Sequence, residues 1–241
     1  THASYIPDEK WMALVESVED QDLIGLECLG GLDLAQVYDL AAFTLTFRLK
    51  DGTPYQKTYL WCPEDTIFRR SREGKVDYYK WVQQGYITAT PGESIDHEKI
   101  VEDILELTSK YNIKSIAYDR ALGDWIVSRL VDEGIEMTKF NQGITNISPP
   151  TKELQRLVGH KSFAHEGNPV QRWMMGNALV YSDSNDNIKI DKKRSVDKVD
   201  GPVSAIMSLG EYMTYFSEDR ESIYEKRGVL SANSYNFDDD E

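Results

Sequence analysis

Only two cysteines occur in 241 residues, Cys28 and Cys62, which excludes a small scaffold held by disulfides. Both fall in segments expected to be the first and third strands of one antiparallel series. An intervening strand would hold them ~9.6 Å apart, beyond the reach of a disulfide, so a reduced, cytoplasmic protein is expected. No run approaches 18 apolar residues and no signal-peptide pattern opens the chain, so neither secretion nor membrane spanning is expected. The pattern GxxxxGK[ST] is absent, leaving no loop of that kind to cradle an ATP phosphate. No initiating methionine precedes Thr1, as expected of a fragment. Positive charge is scarce too: 27 Lys and Arg against 41 Asp and Glu give a net charge of −14, which argues against a protein that coats nucleic acid.

What is present suffices for a substantial core. A hydrophobic content of 40% over this length fits one decorated domain. The charges are segregated. Acids crowd Asp8 to Asp20, Glu98 to Glu106 and the tail Asp238 to Glu241, whereas bases gather at Arg69, Arg70, Arg72 and Lys75 and at Lys192, Lys193 and Arg194. Expected boundaries are a leading helix and linker over 1–20, a domain over 21–230, and an acidic flexible tail over 231–241.

Trp11, Leu14, Val15 and Val18 recur at helical spacing after Pro7, which predicts an amphipathic helix over Pro7–Val18. Leu26–Leu34 reads as a strand in which Gly30 and Gly31 admit a close neighbour. Leu40–Leu49 and Tyr55–Trp61 flank Asp51-Gly52 as a hairpin. Helices are expected over Ile95–Tyr111 and Leu122–Glu133, the latter stopping at Gly134, with strands at Ile113–Asp119 and Ile135–Phe140. A helix over Thr151–Gly159, a second hairpin around residues 182–186 and a last helix over Pro202–Phe216 complete the series. In GNPVQRWMMGNALV, core packing of Trp173 and Met174 with a helix ending at Asn177 is the default reading. The order describes an α/β fold: a mixed five-stranded sheet flanked by helices, with an extra hairpin before the last helix. A right-handed crossover would set the first and fourth strands side by side and parallel.

That topology carries three acids to one edge. Asp33 and Asp119 end apolar runs of strand length, and Asp200 precedes Pro202 at a helix start. A carboxylate at the end of a buried strand is costly unless its charge is used, and a divalent cation is the usual user. Two carboxylates on neighbouring strand ends would lie roughly 5 Å apart, close enough to need a cation between them. Oxygen-only ligation selects Mg²⁺ or Mn²⁺, and a third carboxylate makes room for two ions ~3.5–4 Å apart. Asp197 is a further candidate ligand, and Asp39 is read more readily as a residue opening the second strand. His97, His160 and His165 lack metal-ligand spacing. Lys192, Lys193, Arg194 and Lys198, close to Asp200 in sequence, are the candidate DNA-backbone contacts.

Four segments in order, GLDLAQVYDLAAFTL, IAYDR, FNQGITNISPPTKELQRLV with HEGNPVQRWMMGNALV, and DKVDGPVSAIMSLG, resemble the C-terminal nuclease domain of the large terminase subunit of tailed bacteriophages. The resemblance covers roughly residues 5 to 216. It implies a ribonuclease H-like fold, with Asp33, Asp119 and Asp200 as catalytic aspartates of a metal-dependent endonuclease that cuts concatemeric double-stranded DNA. It also implies partners: an N-terminal ATPase domain outside this chain, the small terminase subunit and the portal, in the cytoplasm of an infected bacterium, with no membrane. Two other readings stand beside it, a resolvase-like nuclease of the same fold and a non-catalytic module that grips DNA or docks on the portal.

Overall fold

The computed structural model describes residues 1–34, 38–119 and 123–232, with side chains up to residue 217. Strand β1 (His2–Ser4) and the short helices α1 (Asp8–Met12) and α2 (Asp20–Leu23) lead into β2 (Glu27–Asp33), β3 (Ala41–Arg48) and β4 (Pro54–Pro63). Next come α3 (Glu64–Arg72), α4 (Tyr78–Gln83), β5 (Thr88–Thr90), α5 (His97–Lys110), β6 (Asn112–Asp119), α6 (Asp124–Asp132) and β7 (Met137–Phe140). The chain continues through α7 (Ile144–Gly159), β8 (Ala164–His165), α8 (Pro169–Asn177), the hairpin of β9 (Leu179–Ser182) and β10 (Ile188–Ile190), and α9 (Asp200–Ala232).

The main sheet has the order β5-β4-β3-β2-β6-β7, with β8 added along β4, and β1-β9-β10 form a second sheet. The five strands expected from sequence make up its centre, and two short strands extend it along β4. Strand β2 is antiparallel to β3 and parallel to β6, as the crossover rule requires. Cys28 and Cys62 are buried free thiols on β2 and β4, with β3 between them.

Three elements differ from their sequence signals. The helix expected over Pro7–Val18 is reduced to the five residues of α1. Tertiary bonds take over at its ends: Tyr5 N–H donates to the Ala178 carbonyl and His165 N–H to that of Leu14. Residues 1–20 are thereby tied into the body of the domain, with Trp11 and Leu14 in its core. Helix α7 starts seven residues before Thr151 and carries Pro149 and Pro150 inside it. Proline costs a helix its N–H bonds, so the Thr145 and Asn146 carbonyls lose their usual partners, while burial of Ile147, Leu154 and Val158 retains the helix. Helix α9 runs on to Ala232 rather than ending at Phe216. The acidic tail expected over 231–241 falls outside the described residues from 233 onward. Helix α6 does end as expected, with Gly134 at φ 84° just beyond it.

Side-chain alternation divides the sheet chemically. Even-numbered Leu32 and Ile116 join Phe43 and Leu45 in a core closed by Ile100, Ile104, Ile126 and Leu130 of α5 and α6. Odd-numbered Gly31 and Ser115 face α9, where the contacts are small and polar. Ser204 Oγ lies 2.7 Å from Thr44 Oγ1, and Ser208 Oγ 2.6 Å from Thr46 Oγ1. Ser115 Oγ donates to Glu211 Oε1 at 2.6 Å. By the same alternation Asp33 and Asp119 lie on the α9 face.

Gly31 sets how closely α9 lies. A Cβ there would sit 2.3 Å from the Ser204 carbonyl oxygen and 2.4 Å from Ser208 N, both backbone atoms that cannot rotate away. Gly31→Ala is expected to lower stability by about 3 kcal/mol or more by forced displacement of α9, measured by urea denaturation. A loss below about 0.5 kcal/mol, within the range of neutral substitutions, would contradict this packing account.

Candidate functional site

Strands β2 and β6 are paired in parallel with Leu32 opposite Tyr118, so Asp33 and Asp119 end neighbouring strands at the same level. Asp200 opens α9, whose first turns cross that sheet face. Asp33 is fully buried, Asp200 is 3% exposed and Asp119 is half-buried. The three acids singled out in the sequence therefore share one end of the sheet.

A cation of the protein's own stands among them. Lys192 Nζ donates to Asp33 Oδ2 at 3.0 Å. Burial works against its ammonium, yet the fields of Asp33, Asp200 and Asp119 overcome that and raise its pKa above the ordinary value. Lys192, expected from sequence to meet DNA, is thus the counter-ion of the acid cluster here. Burial pushes the Asp200 carboxyl up to about 7, with Asp33 adding to the rise and Lys192 and Lys198 opposing it.

A second layer surrounds these groups. Lys198 Nζ lies 3.4 Å from Asp39 Oδ2, and the Tyr78 hydroxyl donates to Asp39 Oδ1 at 3.4 Å. Arg70 Nη2 donates to Asp197 Oδ1 at 2.7 Å and to the Tyr78 hydroxyl at 3.3 Å, with its guanidinium against the Tyr78 and Trp173 rings. The Lys198 N–H also donates to Asp197 Oδ1. Lys193 and Arg194 lie farther out, their N–H groups bonded to Asp191 Oδ1 and the Arg194 guanidinium near His2. His165, buried and stacked on Trp11, bonds the Trp11 carbonyl and belongs to the core.

Tyr78 was missed in the sequence as a site residue, and the pairing of Arg70 with Asp197 was not foreseen. Arg70 was visible only as part of a basic cluster, and its pairing with Asp197 spans 127 residues, a separation that no local pattern encodes. Asp39, weighted towards a turn role, is a buried carboxylate with a lysine partner and an electrostatic neighbour of Asp200. Its only sequence signal was its place six residues after Asp33.

Among the described residues, no group of three or more His, Cys, Asp or Glu side chains is drawn tightly enough to hold a metal ion. The donors nonetheless suit a hard cation. They are all carboxylate oxygens, and Asp200 Oδ2 is buried without a hydrogen-bond partner among the described residues. An orphaned anionic oxygen inside an acid cluster is the condition that a divalent ion relieves.

The family model described as terminase large subunit, endonuclease domain, matches residues 3–215. The large terminase subunit of Enterobacteria phage HK97 is 29% identical over 186 residues, which span 75% of this chain and 36% of that protein. The crystal structure of the HK97 large terminase superposes with a TM-score of 0.81 at 28% identity, over 87% of this chain and 44% of that one. The large terminase nuclease of thermophilic phage G20c with bound magnesium shares the fold, with a TM-score of 0.54 at 14% identity over 84% of this chain and 95% of that one. The chain thus spans well under two thirds of the HK97 protein's length.

Proposed function

Because the chain belongs to the terminase large-subunit endonuclease-domain family, we propose that it is the DNA-cutting module of a phage genome-packaging enzyme, hydrolysing phosphodiester bonds of concatemeric double-stranded DNA with bound Mg²⁺ or Mn²⁺. The observation that carries this reading is the placement of Asp33, Asp119 and Asp200 at one sheet end, with a buried Asp200 oxygen lacking a partner among the described residues. Magnesium in the G20c nuclease supports the choice of a hard divalent cation.

Asp33, Asp119 and Asp200 would hold the metal. Two bound ions would supply an activated water and charge stabilisation of the leaving 3′ oxygen. The chain's own groups set the conditions for that chemistry. Burial of Asp33 and Asp200 excludes water from their carboxylates and strengthens their hold on a cation. In the metal-free protein the Lys192 ammonium is bonded to Asp33, and its release leaves an ammonium beside the site to face a phosphate. Asp197, engaged by Arg70 and the Lys198 N–H, is assigned an anchoring role for the start of α9 rather than a place in the first coordination sphere. Lys193 and Arg194, both exposed, are the contacts expected for a DNA backbone approaching Asp200, with Lys198 joining them on release from Asp39. The N-terminal ATPase domain, the small terminase subunit and the portal are the expected partners, in the cytoplasm of the infected bacterium. No helix among the described residues is long and apolar enough to cross a membrane.

The test is incubation of supercoiled and linear duplex DNA with Mg²⁺, Mn²⁺ or EDTA. Cleavage of both substrates with either metal and none in EDTA is expected. Cleavage confined to four-way junctions would assign a resolvase activity instead, and DNA binding without any cleavage would assign a gripping module.

Lys192 gives a separate prediction. A cation entering the site must displace the ammonium from Asp33, so Lys192→Met is expected to tighten Mg²⁺ binding several-fold in calorimetry. The same change should lower the melting temperature of the metal-free protein by several degrees, because the buried Asp33 loses an ion-pair partner. Weaker Mg²⁺ binding would show that Lys192 supports the metal rather than competing with it.

A further inference from the structure

The sequence made 192–198 the candidate DNA-binding segment, yet the structure holds two of its lysines in internal ion pairs, Lys192 with Asp33 and Lys198 with Asp39. A −14 domain still needs a cationic surface to hold a polyanion. Such a surface lies on the α3–α4 pair.

Residues 68–75 carry Arg69, Arg70, Arg72 and Lys75 against one acid, Glu73. The two acids of α3 are in its first turn and its arginines in its last, so the positive end points away from them. Arg70 is used internally by Asp197. Arg69 is exposed, and its i,i+4 pair with Glu73 is solvent-exposed on both sides and easily exchanged for a phosphate. Arg72 and Lys75 are exposed with no acidic partner among the described residues. The Arg72 guanidinium lies over the Phe68 ring, 5.4 Å from its centroid, a cation–π contact on the exposed face of α3.

The aromatic residues point to the same place. Of the five large aromatics exposed among the described residues, Tyr38, Phe68, Tyr79, Tyr86 and Trp125, all but Trp125 lie on this helix pair or directly beside it. Tyrosine hydroxyls donate to phosphate as arginine and lysine do.

The surface is latched to the acid site. Arg70 grips Asp197, three residues before Asp200, and Tyr78 touches Asp39. Helices α3 and α4 join β4 to β5 at one edge of the sheet, whereas the β9–β10 hairpin packs on α7, which leaves β7 at the other. The acid-bearing strands β2 and β6 lie between.

We propose that the α3–α4 surface binds the phosphate backbone of duplex DNA flanking the scissile bond, through Arg69, Arg72, Lys75 and Tyr79. The proposal deepens the nuclease reading and rests on it. It places the DNA across the sheet end, with α3–α4 on one side of the acids and the 193–194 segment on the other.

Binding of a fluorescein-labelled duplex is measured by anisotropy over a range of salt in EDTA, for the unaltered chain and two triple variants. One is Arg69→Ala with Arg72→Ala and Lys75→Ala. The other is a charge-matched control on exposed lysines elsewhere, Lys10→Ala with Lys50→Ala and Lys152→Ala. The slope of log K against log salt should fall by about 0.9 for each phosphate left without its cationic partner, about 2 to 3 in all for the first variant, and change little for the control. Circular dichroism verifies that both variants fold, and Mg²⁺-dependent cleavage by the unaltered chain is followed in parallel. An unchanged slope, or an equal fall in both variants, overturns the proposal even if the unaltered chain cleaves DNA. A chain that binds DNA through α3–α4 but never cleaves it would instead overturn the nuclease reading.

Discussion

Asp33→Asn, Asp119→Asn and Asp200→Asn will each reduce metal-dependent DNA cleavage by at least about a thousandfold, the rate equivalent of about 4 kcal/mol of lost transition-state stabilisation. The amide keeps the volume of the side chain and removes the charge, so packing at the fully buried Asp33 and nearly buried Asp200 is retained. Circular dichroism and a cooperative urea transition verify that retention. Because the acids act on the cation as a unit, a double variant should lose little more than either single one. Cleavage by a folded Asp119→Asn protein at more than a tenth of the unaltered rate would remove that residue from the site.

Metal-free protein will lose stability as the pH rises from 5 to 8, and Asp200→Asn will abolish much of that loss. Burial raises the Asp200 carboxyl to about 7 from an unfolded value near 4. A folded-state pKa above the unfolded one contributes stability that is complete below the unfolded value and lost as pH rises through the folded value. Much of the stability contributed by the protonated Asp200 carboxyl at pH 5 is therefore lost by pH 8. Glu166 acts with the same sign. Burial raises its carboxyl to about 7 against the opposing pull of Lys57 and the Thr58 N–H. Glu166→Gln should therefore remove a separate part of the slope without touching metal affinity. Asp20, held below the usual carboxylate range by Lys110 and Lys57, acts in the opposite direction as pH falls below about 4, which is why the window opens at pH 5. Thermal melts from pH 5 to 8 with and without Mg²⁺ check this. The metal should restore stability at pH 8 in the unaltered chain and not in Asp200→Asn. A flat apo profile would show that Asp200 is charged without a partner at no cost.

The parts of the site that sequence exposed were those written in local patterns. Asp33 and Asp119 each close an apolar strand, and the order of strands and helices alone made β2 and β6 parallel neighbours. Pro202 and the apolar spacing of Val203, Ile206 and Leu209 marked the start of α9 within two residues of Asp200. Gly31 signalled a close neighbour, which proved to be the α9 backbone. What sequence concealed depends on long-range contact. Helices α3 and α4 are short, and their buried residues, such as Ile67 and Tyr78, find partners in Leu40, Val170 and Met174, far along the chain. The Lys192–Asp33 pair joins residues 159 apart. Proximity of Lys192 to Asp200 in sequence pointed to a DNA contact, whereas the fold turns its ammonium inward to Asp33. At α7 the local rule was overridden, since Pro149 and Pro150 mark a helix start at Thr151 in the sequence, yet burial of one apolar stripe lets the helix begin before them.

The central claim is that Asp33, Asp119 and Asp200 together hold a divalent cation, and crystals soaked in Mn²⁺ with diffraction recorded at the manganese absorption edge test it directly. Anomalous peaks within direct coordination distance of carboxylate oxygens from all three residues, with Lys192 withdrawn from Asp33, are predicted. Full Mn²⁺ occupancy elsewhere on the protein, with Lys192 still bonded to Asp33 and no peak at the acid cluster, would contradict it.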